Sequence, residues 1–162
     1  MLRGTCDLVS ALSARGWTLA TAESLTGGQV AAAVTSVPGS SRAFLGGVVS
    51  YATRVKREVL RVPDEVVRDH GVVSAECAAA MAVGVRTLLG SDFGVSTTGV
   101  AGPDQQNGLP VGTVFVGVAG PDGVRVERLD LSGSRAEIQH GAVLRVLDLL
   151  GAVLRREEPV VG

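Results

Sequence analysis

Trp17-Thr-Leu-Ala-Thr-Ala-Glu-Ser-Leu-Thr-Gly-Gly-Gln-Val-Ala-Ala-Ala-Val34 changes character twice along its length. Trp17 to Ala22 has the apolar and β-branched composition of a buried strand, Glu23 to Gly28 is a polar turn ending in two glycines, and Gln29 to Val34 opens a helix. A strand whose carboxyl end passes through such a turn into a helix is the repeating unit of an open α/β sheet. In those sheets the junction is where ligands are held. Upstream, Leu2, Leu8, Val9 and Leu12 recur at helical spacing before Gly16, so the order is helix, strand, turn, helix.

Downstream, Pro38-Gly-Ser-Ser41 ends the helix, and Phe44-Leu-Gly-Gly-Val-Val-Ser-Tyr51 predicts a second strand with Tyr51 at its end. Val55 to Leu60 and Pro63 to Asp69 predict two short helices. The second starts on proline, carries Asp64 and Glu65 in its first turn and stops at Gly71. Ser74 suits the N-cap of an alanine-rich helix over Ala75 to Leu89, ended by Gly90, whose small residues permit close packing on a sheet. Phe93 to Thr98 predicts a strand, and Gly99 to Pro110 a polar loop longer than a mere connection requires. Val111 to Ala119 and Val124 to Leu131 flank Gly120-Pro-Asp-Gly123 as an antiparallel hairpin, which makes the sheet mixed. Ser134 can cap a last helix with an apolar stripe of Ile138, Val143, Leu144, Leu147, Leu150 and Leu154. The whole chain, 1–162, reads as one α/β domain with its core in 1–156 and a polar tail over 157–162.

Composition narrows the function. Hydrophobic residues make up 46% of the chain with few aromatics, which suits aliphatic strands and alanine-rich helices. With a net charge of −1 and bases scattered among acids, no stripe exists to hold a nucleic-acid backbone. No apolar run reaches the roughly 18 to 20 residues of a membrane helix, and residues 1–16 lack the ordered regions of a signal peptide, so a cytoplasmic protein is expected. Cys6 and Cys77 fall in helical patterns, where free cysteine behaves as a small buried hydrophobe. His70 and His140 lack neighbours at ligand spacing, so no metal site is expected.

Four places could carry chemistry. The turn puts Ser24 beside backbone N–H groups able to hold a phosphate or an oxyanion; the competing reading is that Ser24 or Thr26 only caps the helix. Neither the P-loop pattern nor the hydrolase-elbow pattern GxSxG is present. Second, the chain's single lysine is Lys56, five residues after its single tyrosine, Tyr51. A guanidinium cannot give up a proton near neutrality, whereas a buried ammonium can. A serine nucleophile needs a base, and Lys56 is the available one, provided its pKa falls by about three units from roughly 10.4. An ordinary surface lysine and a solvated strand-end tyrosine are the alternatives. Third, Thr98-Gly-Val-Ala-Gly-Pro103 is either a glycine turn that lets amides approach a ligand or a plain loop. Fourth, at Gly133-Ser-Arg135 the guanidinium and the amino end of the last helix could grip an anion.

In order along the chain, Ala22-Glu-Ser-Leu-Thr-Gly-Gly28, Val37-Pro-Gly-Ser-Ser41, Gly46-Gly-Val-Val-Ser-Tyr51 with Lys56, Gly71-Val-Val-Ser74, Thr98-Gly-Val-Ala-Gly-Pro103, Pro110-Val-Gly-Thr-Val114 and Gly133-Ser-Arg135 resemble the CinA C-terminal domain family. Its stand-alone members are nicotinamide-nucleotide amidases. The resemblance covers nearly the whole chain. It implies a three-layer α/β/α sandwich around a mixed, mostly parallel sheet, a homodimer or higher homo-oligomer, and a nucleotide substrate handled without metal or cofactor. It implies Ser24 as nucleophile, Lys56 as base and Tyr51 as an active-site tyrosine. Glu23, Thr26, Gly27, Gly28, Thr98, Gly99, Ala101 and Gly102 would line the substrate site, with Arg135 near the anionic end. Leu25 stands where a cysteine is common, which argues against thiol chemistry. Ala52 and Thr53 replace a frequent serine and asparagine, and Asp104-Gln-Gln replaces a more glycine-rich stretch, so the pocket edge, substrate preference and rate are affected. Many members carry an amino-terminal molybdopterin-binding-like domain that is not in this sequence, so any pyrophosphatase activity of that domain is expected to be absent.

The expected function is therefore hydrolysis of nicotinamide mononucleotide to nicotinate mononucleotide and ammonia. Tyr51 would help deliver the proton to ammonia or hold Lys56 in place. The alternative is a non-catalytic nucleotide- or partner-binding module that grips phosphate with the same glycine turns.

Overall fold

Leu19 to Glu23 are all buried, the pattern of a strand covered on both faces. In the computed structural model, which describes residues 4–156, this strand, β1, lies inside the sheet. Leu2 and the tail 157–162 lie outside the described residues. The order is α1 (Thr5–Arg15), β1 (Leu19–Glu23), α2 (Gln29–Thr35), a 3-10 turn (Ser40–Arg42), β2 (Phe44–Val49), α3 (Thr53–Glu58), α4 (Asp64–His70), α5 (Ala75–Leu89), β3 (Phe93–Gly99), β4 (Thr113–Gly120), β5 (Gly123–Asp130) and α6 (Arg135–Arg156). The sheet order is β2-β1-β3-β4-β5. β1 pairs parallel with both β2 and β3, and β4 pairs antiparallel with β3 and β5. The sheet is mixed as expected, with β4 alone running against the other strands among the described residues.

Helices cover both faces. Leu8 and Leu12 of α1, Val30 and Val34 of α2, and Ile138, Val146 and Leu150 of α6 pack on one side with Leu19, Val95 and Val116. Met81 and Val85 of α5, with Leu60, Val62, Val72 and Val73, pack on the other over Ala20 and Ala22. The second face works because its residues are small. A Cβ on Gly94 would overlap the Ala82 carbonyl oxygen of α5, and one on Gly117 would stand 3.0 Å from that of Ala78. The α/β/α layering is thus written in glycines of the sheet as well as alanines of the helix.

Local signals act as read. The Ser74 hydroxyl accepts the Cys77 N–H at 3.1 Å, capping α5, and Gly90 ends the helix in the left-handed conformation. Pro121 and Asp122 alone separate β4 from β5. Ser134 and Glu137 form a reciprocal capping box at α6, the carboxylate accepting the Ser134 N–H at 2.6 Å and the hydroxyl accepting the Glu137 N–H at 3.3 Å. Two expectations fail on helical phase. Leu144 is 49% exposed, because it stands about 100° round the helix from buried Val143. Cys6 is exposed on the outer side of α1, whereas Cys77 is buried. Among the described residues no helix is long and apolar enough to cross a membrane.

Gly94→Ala should lower the unfolding free energy by about 1 to 3 kcal/mol, the usual cost of overpacking a tight contact. Urea denaturation of the purified chain checks this as a lower midpoint with an unchanged slope.

Candidate active site

Glu23, the last residue of β1, is 1% exposed, and its carboxylate turns into the start of α2. One oxygen accepts the Thr26 hydroxyl at 2.6 Å and the Val30 N–H at 2.7 Å, and the other accepts the Ala31 N–H at 3.0 Å. Because Thr26 donates to Glu23, the Thr97 hydroxyl, 2.8 Å away, donates to Thr26. A buried carboxylate with these donors is a stable anchor. Gly27 and Gly28, at φ of 58° and 103°, let the chain swing into α2 over this anchor.

The anchored turn presents Ser24. Its N–H donates to the Thr97 carbonyl at 3.0 Å and its own carbonyl accepts the Gly27 N–H at 3.1 Å, while the Ser50 N–H beyond β2 donates to the Glu23 carbonyl at 2.8 Å. Ser24 therefore sits where the carboxyl ends of β2, β1 and β3 meet. Lys56, from α3, is 2% exposed. Its Nζ lies 2.9 Å from Ser24 Oγ and donates to the Ser50 carbonyl at 2.6 Å. Among the described residues no carboxylate pairs with it. Burial pushes the Lys56 pKa down, and the neighbouring Cys77 thiol opposes this weakly; that thiol is itself pushed up to about 11 by burial and stays neutral. The result is an amine that loses its proton more easily than a free lysine, within hydrogen-bond reach of a hydroxyl.

Both groups line a cleft with an empty volume, mouth included, of about 610 Å³. Tyr51, Thr98, Gly99, Ala101, Gly102 and Arg135 line it too. Thr53, Leu25 and Asp104, where the chain departs from the family pattern, also face it. Glu23, Thr26, Gly27 and Gly28 do not. The first two are consumed by the buried network and the glycines serve the turn, so these four are scaffold.

Tyr51 is 61% exposed and its hydroxyl accepts from Arg135 at 2.9 Å. Holding Lys56 is the work of the Ser50 carbonyl, not of Tyr51. The Thr98 hydroxyl is committed to the Val72 carbonyl at 2.6 Å. Arg135 also donates to the Gly102 carbonyl. The amino end of α6, expected to help grip an anion, is occupied by its own Glu137 carboxylate, whose pKa the Ser134 N–H lowers. The reading of the sequence missed Ser50, a main-chain partner with no side-chain signature, and Gln139, whose side-chain amide donates to the Leu25 carbonyl at 2.8 Å. The spacing of Gln139 from Arg135, one helical turn, was the available clue.

The model of the CinA C-terminal domain matches residues 5–154. The chain belongs to the CinA family. A CinA-like protein of Frankia casuarinae is 51% identical over 140 residues, covering 86% of this chain and 32% of that protein. A putative competence-damage inducible protein of Desulforudis audaxviator is 46% identical over 144 residues, covering 88% and 35%. The chain thus spans about a third of the length of these curated relatives. Among solved structures, a CinA superfamily protein from Klebsiella pneumoniae superposes with a TM-score of 0.89 at 34% identity, covering 95% of this chain and 99% of that one. The competence/damage inducible protein CihA from Agrobacterium tumefaciens gives 0.88 at 31%, covering 94% and 98%. The CinA fold is therefore shared over the whole three-layer core that carries the cleft.

The depressed Lys56 pKa has a consequence for stability. Between its folded pKa and 10.5 the unfolded chain binds the proton that the fold does not, so stability attributable to Lys56 rises with pH across that window. Cys77 acts oppositely between 9.0 and about 11, but it is present in the wild type and in Lys56→Met and largely cancels in their difference. Urea titrations of the wild type minus those of Lys56→Met should show the positive slope between the folded Lys56 pKa and 10.5.

Proposed function

We propose that the chain is an amidohydrolase that converts nicotinamide mononucleotide to nicotinate mononucleotide and ammonia. The observation that carries the reading is the 2.9 Å approach of Lys56 Nζ to Ser24 Oγ, with the amine buried and unpaired by any carboxylate among the described residues. Gripping a phosphate needs no such arrangement, since an exposed cation serves better. Membership of the CinA family supports it.

Neutral Lys56 takes the Ser24 proton as Oγ attacks the carboxamide carbon. The developing oxyanion is met by backbone N–H groups. Among the described residues those of Leu25, Ala101 and Gly102, all lining the cleft, make no hydrogen bond within the fold. Lys56 returns the proton to the departing nitrogen, ammonia leaves, and a water deprotonated by Lys56 cleaves the acyl ester. With Lys56 neutral, Arg135 is the permanent positive charge of the cleft, and its unused N–H groups suit the nucleotide phosphate. Tyr51, tied to Arg135, lines the cleft beside Ser24 and Lys56. We read the protein as a cytoplasmic homo-oligomer. Exposed Leu45 and Val49 on edge strand β2 and Val83, Leu88 and Leu89 on α5 support self-association.

Ser24→Ala should abolish ammonia release from nicotinamide mononucleotide while the fold persists. Lys56→Arg keeps the charge but cannot deprotonate, so the maximal rate should collapse with KM changed much less. The wild-type rate should rise with pH through one ionisation below that of free lysine, and the arginine variant should lack this limb. Retention of more than about a tenth of the rate, under roughly 1.4 kcal/mol, removes Lys56 as base; nucleotide binding without ammonia release by the wild type would establish a binding module instead.

Arg135→Ala should weaken kcat/KM for the mononucleotide by about 1.5 to 3 kcal/mol, and leave the dephosphorylated riboside almost unaffected. Equal losses on both substrates would assign Arg135 to the architecture alone.

A further inference from the structure

We infer that Gln139 is a positioning residue for the nucleophile: by holding the Leu25 carbonyl it fixes the turn that aims the Ser24 hydroxyl and the Leu25 N–H into the cleft. This rests on the reading of Ser24 as nucleophile. The Ser24 turn is weakly self-supporting. It contains one internal backbone hydrogen bond, from the Gly27 N–H to the Ser24 carbonyl, and one at its exit, from the Gln29 N–H to the Thr26 carbonyl, and it leaves through two glycines, whose backbones have the most freedom to lose. Its inner side is fixed by the Glu23 carboxylate through Thr26 and the first turn of α2. Its outer side is fixed from α6, where the Gln139 amide meets the Leu25 carbonyl at 2.8 Å across 114 residues of sequence.

Geometry gives that one contact leverage. A peptide unit is planar, so fixing the Leu25 carbonyl fixes the plane shared with the Thr26 N–H and restricts ψ of Leu25. The preceding peptide carries the Leu25 N–H and the Ser24 carbonyl, and Ser24 is already held at its N–H by Thr97 and at Oγ by Lys56. With both flanks fixed, the serine has little room to drift. Gln139 does not line the cleft, so it acts through the turn and does not touch a substrate. Its platform is rigid, since α6 is seated by Ile138 and Ala142, both fully or almost fully buried, on either side of Gln139. Four residues earlier, Arg135 holds Gly102 and Tyr51, so one face of α6 reaches the cleft's three surrounding segments.

The test separates this inference from the amidase reading by using a fluorophosphonate, with which Ser24 Oγ forms a bond to phosphorus, fluoride leaves and Lys56 takes the serine proton. Intact-mass and peptide analysis of the full chain measure the labelling rate at Ser24, alongside amide turnover. Gln139→Leu and Gln139→Glu, each lacking the amide donor, should be labelled about 10- to 100-fold more slowly, and kcat should fall in parallel. KM, the urea midpoint and the pH position of the rate limb should stay near wild type. Gln139→Lys, whose ammonium can donate over the same reach, should recover most of the labelling rate. Wild-type protein that is not labelled at Ser24 overturns the nucleophile reading itself. Wild-type labelling with equal rates in the two donor-less variants overturns the Gln139 inference alone. So does a loss that follows a lowered urea midpoint in both variants, since that marks a general structural role.

Discussion

A buried lysine amine with no carboxylate opposite it among the described residues is the constraint around which this cleft is organised. Desolvation disfavours the charged form of Lys56, and a carboxylate in contact would reverse that by stabilising the charge. The fold instead offers two uncharged oxygens, the Ser50 carbonyl and the Ser24 hydroxyl, enough to satisfy the nitrogen's hydrogen bonding without making protonation favourable. Both oxygens are available because of where strands stop. β2 ends at Val49, so the Ser50 carbonyl is free of the sheet ladder, and β1 ends at Glu23, so Ser24 is the first residue beyond it. Cys77, which interacts electrostatically with Lys56, is held by burial as a protonated thiol.

Glu23 and Ser24 show how adjacent residues divide scaffold from chemistry. Glu23 faces the layer of α2 and ends a directed chain of donors, Thr97 to Thr26 to Glu23, while Ser24 opens toward the cleft. A carboxylate this close to a serine could have served as its base. It does not reach, because its lone pairs are spent on Thr26 and the first amides of α2. The consecutive run Glu23-Ser-Leu-Thr-Gly-Gly28 therefore acts as a frame that presents Ser24 and Leu25 to the cleft.

Much of the architecture was legible because its causes are local. The β1-turn-α2 unit, the Ser74 cap, the Gly90 stop and the Gly120 to Gly123 turn follow from hydrophobic period and turn chemistry. Leu144 and Cys6 were misplaced because an apolar side chain near a stripe can fall one residue out of phase, and sequence spacing alone does not fix the phase of a helix against its layer. At the cleft, Ser24 and Lys56 stood out as a serine in a glycine turn and a solitary lysine. Glu23 is bonded to the start of α2, and in sequence a carboxylate that caps a helix looks like one that faces a ligand. The Ser50 carbonyl and the Gln139 to Leu25 contact were invisible, since main-chain acceptors carry no residue code and pairs 114 positions apart are joined only by topology.

The helix that touches the cleft's loops, α6, also follows every other described element along the chain. Leu25 waits for Gln139 across 114 residues and Tyr51 waits for Arg135 across 84, so neither contact is available to a nascent chain that has emerged only through β5. Ser24 and Tyr51 leave the ribosome before the residues of α6 that hold their segments. Closing such long loops has an entropic cost that only the docking of the apolar face of α6 can offset. Vectorial synthesis therefore leaves the Ser24 turn and Tyr51 without these two contacts until α6 has emerged, and a chain truncated before α6 would keep both side chains without them.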